Sequence, residues 1–155
     1  MTILLHDSVP FLVHRVAASF NGWTADFRPL GLNVFSARVM VVLHINGAAT
    51  VSELAEATAL EQSTLSHILR RLTAARLVVK KRQAHDNRSV LVQLTARGRR
   101  VAEKCLHIVV GHERGITRGL TSEQVRSLKA ALHQLYANLQ ASHAQAAPPT
   151  QATQT

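Results

Sequence analysis

Between Gln62 and Arg82 the sequence carries no acidic residue. Gln62, Ser63, Thr64, Ser66 and His67 are short or moderate side chains with hydrogen-bonding heads, and Arg70 and Arg71 follow one turn later. Amide, hydroxyl and imidazole groups can match the donor and acceptor pattern of base edges, while guanidinium and ammonium groups pair with phosphate. An ordinary solvated helix face carries Glu and Lys pairs instead. A second cluster lies in the loop from Arg82 to Arg88. Arg88 at a hairpin tip can enter a narrow, electronegative groove. Asp86, two residues earlier, can pair with its guanidinium and aim it. Asp86 and Asn87 are also simply good turn residues. Lys80, Lys81 and Arg82 on the approach add sites for phosphate.

The local sequence predicts what holds these groups. Thr50 and Glu53 form a capping box, Thr at the N-cap and Glu three residues on. It opens a short helix, Val51 to Thr58. A brief turn, Ala59 to Glu61, leads to a second helix, Gln62 to Ala75, with Leu65, Ile68, Leu69 and Leu72 on its buried face. That is a helix-turn-helix, whose second helix presents its N-terminal end to a major groove. The period then changes. Leu77 to Lys81 and Ser89 to Leu94 read as two strands joined by the basic loop.

The flanks read as helices. Ser8 can cap a first helix over residues 8–28, with Val9, Leu12, Val13, Val16, Phe20, Trp23 and Phe27 in one stripe and Pro29 at its end. Val34 to Asn46 is apolar nearly all round and so buried on several sides, with Gly47 as its stop. Thr95 can cap a long helix from Ala96 to about Arg118. Gly111, Gly115 and Gly119 weaken its later half, so a kink, stop or close packing is expected near Gly111. Thr121 and Gln124 form a second capping box. Val125, Leu128, Leu132, Leu135 and Leu139 then make a heptad seam that suits packing on another helix. From Ala141 the composition shifts to Ala, Gln, Pro and Thr and reads as a disordered tail.

Composition agrees. The 155 residues carry 18 Lys and Arg against 9 Asp and Glu, a net charge of +9, which points to nucleic acid or an acidic surface. Aromatic residues make up only 4%, so an aliphatic core of packed helices is favoured over a sandwich. No apolar run approaches the ~20 residues of a membrane span, no signal peptide is evident, and a cytoplasmic location is expected. The lone cysteine, Cys105, cannot form an intramolecular disulfide. Nine histidines are present, but His107 and His112 stand five apart on one helix, so they do not share a face and no metal set is complete. No cofactor is implied. Scattered acids and the lack of a phosphate-cradling loop argue against an enzyme.

The run Val51 to Ala55, then Ser63 to Ser66, Arg71 and Leu72, His85 to Ser89, and Leu91 to Gly98 resembles the MarR family of bacterial transcription regulators. The Asp-x-Arg wing followed by Leu-Thr-x-x-Gly carries most of the likeness, and motifs cover about residues 34–100. The resemblance implies a mainly α fold with a small two- or three-stranded β wing: a winged helix-turn-helix with a helical dimerisation region. Residues 1–33 and 96–140 would form the dimerisation region of a homodimer, 34–95 the DNA-binding lobe and 141–155 the tail. Two recognition helices would read a pseudo-palindrome in double-stranded DNA, with Arg88 in the minor groove. One departure is Arg76, where the family often has Gly. A left-handed Arg costs about 1 kcal/mol relative to Gly, so either the turn differs or Arg76 adds a phosphate contact.

The resemblance also implies a repressor released by a small ligand, such as an aromatic acid or a thioester, bound between the dimer region and the DNA lobe. Trp23 could stack on a ring, Arg15, Arg28 or Arg38 could hold a carboxylate, and His44 lies on the buried helix. The alternative is a winged helix serving chromosome architecture or protein interaction, without a small-molecule effector.

Overall fold

The computed structural model describes residues 5–82 and 90–146. The chain divides into two compact units, one up to Gly111 and one from His112. The fold is mainly helical with a three-stranded antiparallel sheet of order β1-β3-β2.

The first helix is shorter than its apolar stripe predicts. α1 spans Val9–Ser19 and gives way to a 3-10 turn at Phe20–Trp23, one α turn (α2, Thr24–Phe27) and a second 3-10 turn at Arg28–Leu30. Pro29 sits inside that last turn, and Gly31, at φ +71°, ends it. Ser8 occupies the N-cap without capping. Its hydroxyl donates backwards to the Leu5 carbonyl at 2.9 Å.

α3 (Val34–Asn46) has the bounds the sequence predicts, and Ser36, Ala37, Val39, Met40 and Leu43 are buried. Asn33 caps it through the Ser36 amide at 2.8 Å. Gly47 follows at φ +83°, ψ −94°. This is not the left-handed helical conformation expected of it, though it still needs glycine. Three residues then pair as β1 (Ala48–Thr50), with Ala49 opposite Val92.

Thr50 ends that strand and caps α4 (Val51–Thr58). The Glu53 amide donates to Thr50 Oγ1 at 3.2 Å, and the Thr50 amide donates to Glu53 Oε2 at 2.7 Å. These bonds hold the Glu53 carboxyl below its ordinary pKa of 4.5, the Thr50 backbone amide first and its hydroxyl second. Ala59 turns the chain in the left-handed conformation, φ +51°. α5 (Gln62–Ala74) follows, then β2 (Val78–Arg82) and β3 (Val90–Leu94). The core of this unit joins α3 and α5 to Leu54, Val78, Val92, Ala102 and Cys105, the last five at most 1% exposed. Cys105 is walled off, and burial pushes its thiol up to about 11.

α6 (Ala96–Ile116) runs without a break through Gly111 and Gly115, so the expected stop there does not occur. Apart from the helix's own backbone, nothing among the described residues lies within 4 Å of where a Cβ on either glycine would stand. α7 (Ser122–Ala146) opens on the second capping box, with Gln124 N–H to Thr121 Oγ1 at 3.2 Å and Thr121 N–H to Gln124 Oε1 at 2.8 Å. It continues past the expected boundary at 140, so part of the anticipated tail is helical. Among the described residues, no single helix is long and apolar enough to cross a membrane.

Candidate nucleic-acid interface

α5 buries Leu65, Ile68, Leu69 and Leu72, none more than 6% exposed. The helical period therefore turns its polar side chains outward. Ser63, Ser66, His67, Arg70 and Thr73 line one open groove of about 690 Å³, closed on its far side by Lys80 of β2. Among the described residues no acid lines it. Arg70 Nη2 contacts His67 Nδ1. A guanidinium only donates, so in this contact Nδ1 is the accepting atom. The N-cap residue of α5, Glu61, makes no side-chain cap, which leaves first-turn N–H groups able to donate to an outside acceptor.

The structure thus gathers Ser63, Ser66, His67, Arg70 and Lys80 from the expected set. Gln62 and Thr64 are exposed but do not line the groove. Lys81 is exposed and, as Lys80's neighbour on a strand, points to the other sheet face. Arg82 ends β2. Arg71 departs most: it is turned about 100° from Arg70 and lines a separate cavity. Among the described residues Thr73 is the one polar groove residue outside the expected set. Its hydroxyl donates to the Leu69 carbonyl at 2.8 Å, and its spacing of three from Arg70 is the signal that could have found it. Asp86, Asn87 and Arg88 lie outside the described residues.

The expected effector residues make separate contacts. Trp23 packs on Phe20 with ring centroids 4.4 Å apart. Arg15 lies over Phe11, and Arg38 lies over Phe35 while donating to the Thr58 carbonyl at 3.0 Å. Arg28 is exposed. His44 lines a cavity of about 310 Å³ with Gln93 and Arg99. Among the described residues no group of three or more His, Cys, Asp or Glu could hold a metal ion.

One joint fixes the end of α5 against the sheet and α6. Arg76 takes the left-handed conformation, φ +56°, so the turn is the one that favours glycine. Thr95 then donates through Oγ1 to the Arg76 carbonyl at 2.8 Å and through its amide to the Leu77 carbonyl at 3.0 Å. The same hydroxyl accepts from Gly98 N–H at 2.9 Å, which caps α6. A Cβ on Gly98 would stand 1.9 Å from the Leu77 oxygen. The Leu-Thr-x-x-Gly pattern is therefore a packing device: a cap, a strand anchor and a residue without a side chain.

Two adjoining helices, a buried-faced second helix and a β-ribbon against it define the winged helix-turn-helix class. Residues 30–89 match the model of the MarR family. The chain is 30% identical to the organic hydroperoxide resistance transcriptional regulator of Bacillus subtilis, over 87% of this chain and 91% of that one. A MarR-family transcriptional regulator from Silicibacter pomeroyi superposes with a TM-score of 0.77 at 27% identity, covering 88% of this chain and 92% of its own. NadR, solved in complex with 4-hydroxyphenylacetate, superposes with a TM-score of 0.72 at 26% identity, covering 87% and 96%. The chain belongs to the MarR family of transcription regulators.

Proposed function

We propose that the protein is a cytoplasmic, homodimeric repressor that binds a pseudo-palindromic DNA site and releases it when a small effector binds. The observation that carries this reading is the groove of Ser63, Ser66, His67, Arg70, Thr73 and Lys80, which no acid lines among the described residues. Hydroxyls and imidazole on α5 suit base edges, and Arg70 and Lys80 suit the flanking phosphates. Gln62, Thr64, Arg71, Arg82, Asp86, Asn87 and Arg88 complete the proposed contact set. Residues 34–95 would form the DNA lobe.

Uncovered apolar stripes support the dimer. Val9, Leu12, Val13 and Val16 of α1 are exposed, as are Leu128, Leu132 and Leu139 of α7. Such stripes are costly in water, and a second copy supplies the cover. Leu132→Asp puts a charge into the α7 seam. Sedimentation should show monomer or unfolded chain, and an intact dimer would remove α7 from the interface.

The effector part draws support from NadR and its bound 4-hydroxyphenylacetate. A thiol-based peroxide response draws none, because Cys105 is buried and its thiol is raised to about 11. The groove is tested by DNA titration at several salt concentrations. Arg70→Ala and Lys80→Ala should each weaken binding and lower the salt slope by about 1. Unchanged slopes in both would reject the groove as the DNA surface. Arg88→Ala should weaken binding strongly while leaving the dimer intact.

A further inference from the structure

α6 carries a row of cations that the α5 groove does not use. Arg97, Arg100, Lys104 and His107 follow at steps of three, four and three. At about 100° per residue they fall within about 80° of the helix circumference and rise over about 15 Å. All four are exposed. Arg97, Arg100 and Lys104 have no hydrogen-bond or ion-pair partner among the described residues. His107 donates through Nδ1 to the Glu103 carbonyl at 2.8 Å. Glu103, the one acid in residues 96–111, stands beside the row and forms no ion pair among the described residues. The core takes the other side of the helix, where Gly98, Ala102 and Cys105 are buried. Val109 and Val110 are exposed and apolar, but they lie about 100° or more from the centre of the row, so cover over them is not cover over it. At its first residue the row borders a second cavity, which Arg97 lines together with Arg71. Arg71 is turned about 100° from Arg70 on α5, so the row begins on a different flank of α5 from the groove.

A line of charge selects a linear polyanion. The cations stand about 5 Å apart along the axis, so a small anion would meet one or two of them and leave the rest unmatched. A protein partner needs an apolar core to its interface, and the row contains no apolar side chain. An anionic membrane takes up a helix through its apolar face, and that face of α6 is buried in the fold. Double-stranded DNA presents one charge per about 3.4 Å of axis on each strand, and guanidinium groups suit phosphate. We propose that the α6 row is a second DNA-binding surface, which holds the phosphate backbone of another duplex while the α5 groove holds the operator. Contacts to phosphate carry no sequence information, so the second duplex is of any sequence, and the protein bridges two stretches of DNA. Bridging rests on the proposed DNA reading of α5, whereas the affinity of the row for DNA does not.

Titration of the full chain with a random-sequence duplex at several salt concentrations tests the row itself. Arg100→Gln combined with Lys104→Gln should lower the salt slope by about 2. Arg126→Gln combined with Lys129→Gln, an equal loss of charge from α7, should leave the slope unchanged. Sedimentation should show wild type and both variants in the same assembly. For bridging, beads carrying the promoter DNA beside the protein's own gene are loaded with protein and offered a labelled random duplex. Wild type and the α7 variant should capture it, and the α6 variant should not. No binding of random DNA, an unchanged slope in the α6 variant, or equal losses in both variants would overturn the row as a DNA surface. A changed assembly in the α6 variant would overturn it too, and make the row an interface between copies. Polyglutamate that displaces the random duplex as well as unlabelled DNA does would reassign the row to an acidic polypeptide. If the slopes behave as expected but wild type captures no second duplex, the row extends the contact with one duplex and bridging is wrong. If the beads retain no protein, the groove reading fails, while the random-duplex titration still decides the row.

Discussion

Gly98→Ala should destabilise the protein, although helix propensity alone predicts the opposite. Replacing Gly by Ala inside a helix gains up to about 1 kcal/mol. Here the added Cβ would lie 1.9 Å from the Leu77 carbonyl oxygen and 3.0 Å from its carbon. A relaxed carbon–oxygen contact is about 3.3 Å or longer, so backbone must move by more than about 1 Å. Overpacking of that kind costs about 1–3 kcal/mol. The oxygen that must move also accepts from the Thr95 amide at 3.0 Å, and losing that bond adds about 1 kcal/mol. The net expectation is a loss of about 1–3 kcal/mol, or a fall of roughly 0.5–1.5 M in the urea midpoint at an ordinary slope. Gly111→Ala on the same helix, where the space for a Cβ is open, should instead gain about 0.5–1 kcal/mol. A Gly98→Ala midpoint equal to or above that of wild type would refute the clash and the role given to the Thr95 joint.

Among the described residues two that are not glycine sit at positive φ, Ala59 at +51° and Arg76 at +56°. Ala59→Gly and Arg76→Gly should each stabilise the fold by about 1 kcal/mol in urea titrations. Glu53 has its folded pKa lowered from 4.5 by the Thr50 bonds, so its contribution is present above 4.5 and is lost as pH falls through the lower folded value. Glu53→Gln should therefore be less stable than wild type near neutrality, and the gap should close in acid; a gap unchanged with pH would contradict the capping role. Cys105 should resist a thiol reagent at neutral pH in the native protein and react once urea unfolds it, as followed by the colour the reagent releases.

Much of the site-bearing lobe is legible in the sequence because its signals are local. The Thr50 and Thr121 capping boxes each need only four residues, and the end of α3 and the start of α4 follow from Gly47 and Thr50. The first helix ends earlier than its pattern predicts because Phe20, Trp23 and Phe27 continue the apolar spacing through a stretch that includes 3-10 turns. β1 has three residues and exists through its partner β3, a non-local fact. The last helix outruns its predicted end because Ala141, Ala144 and Gln145 look like low-complexity chain yet are good helix formers. Within the site, residue types are readable but directions are not: Arg70 and Arg71 are one identity at adjacent positions, and only the facing of α5 separates the groove from the second cavity.

The most direct test of the central claim is a titration of the full chain with the promoter DNA beside its own gene against random DNA of equal length, at several salt concentrations. Tight binding at one palindromic site is expected, with a steep salt slope and an excess over random DNA of about a thousandfold or more. Equal binding to both DNAs would contradict specific recognition by the α5 groove and leave an architectural role, and no binding to either would show that the groove and the +9 charge serve a different partner.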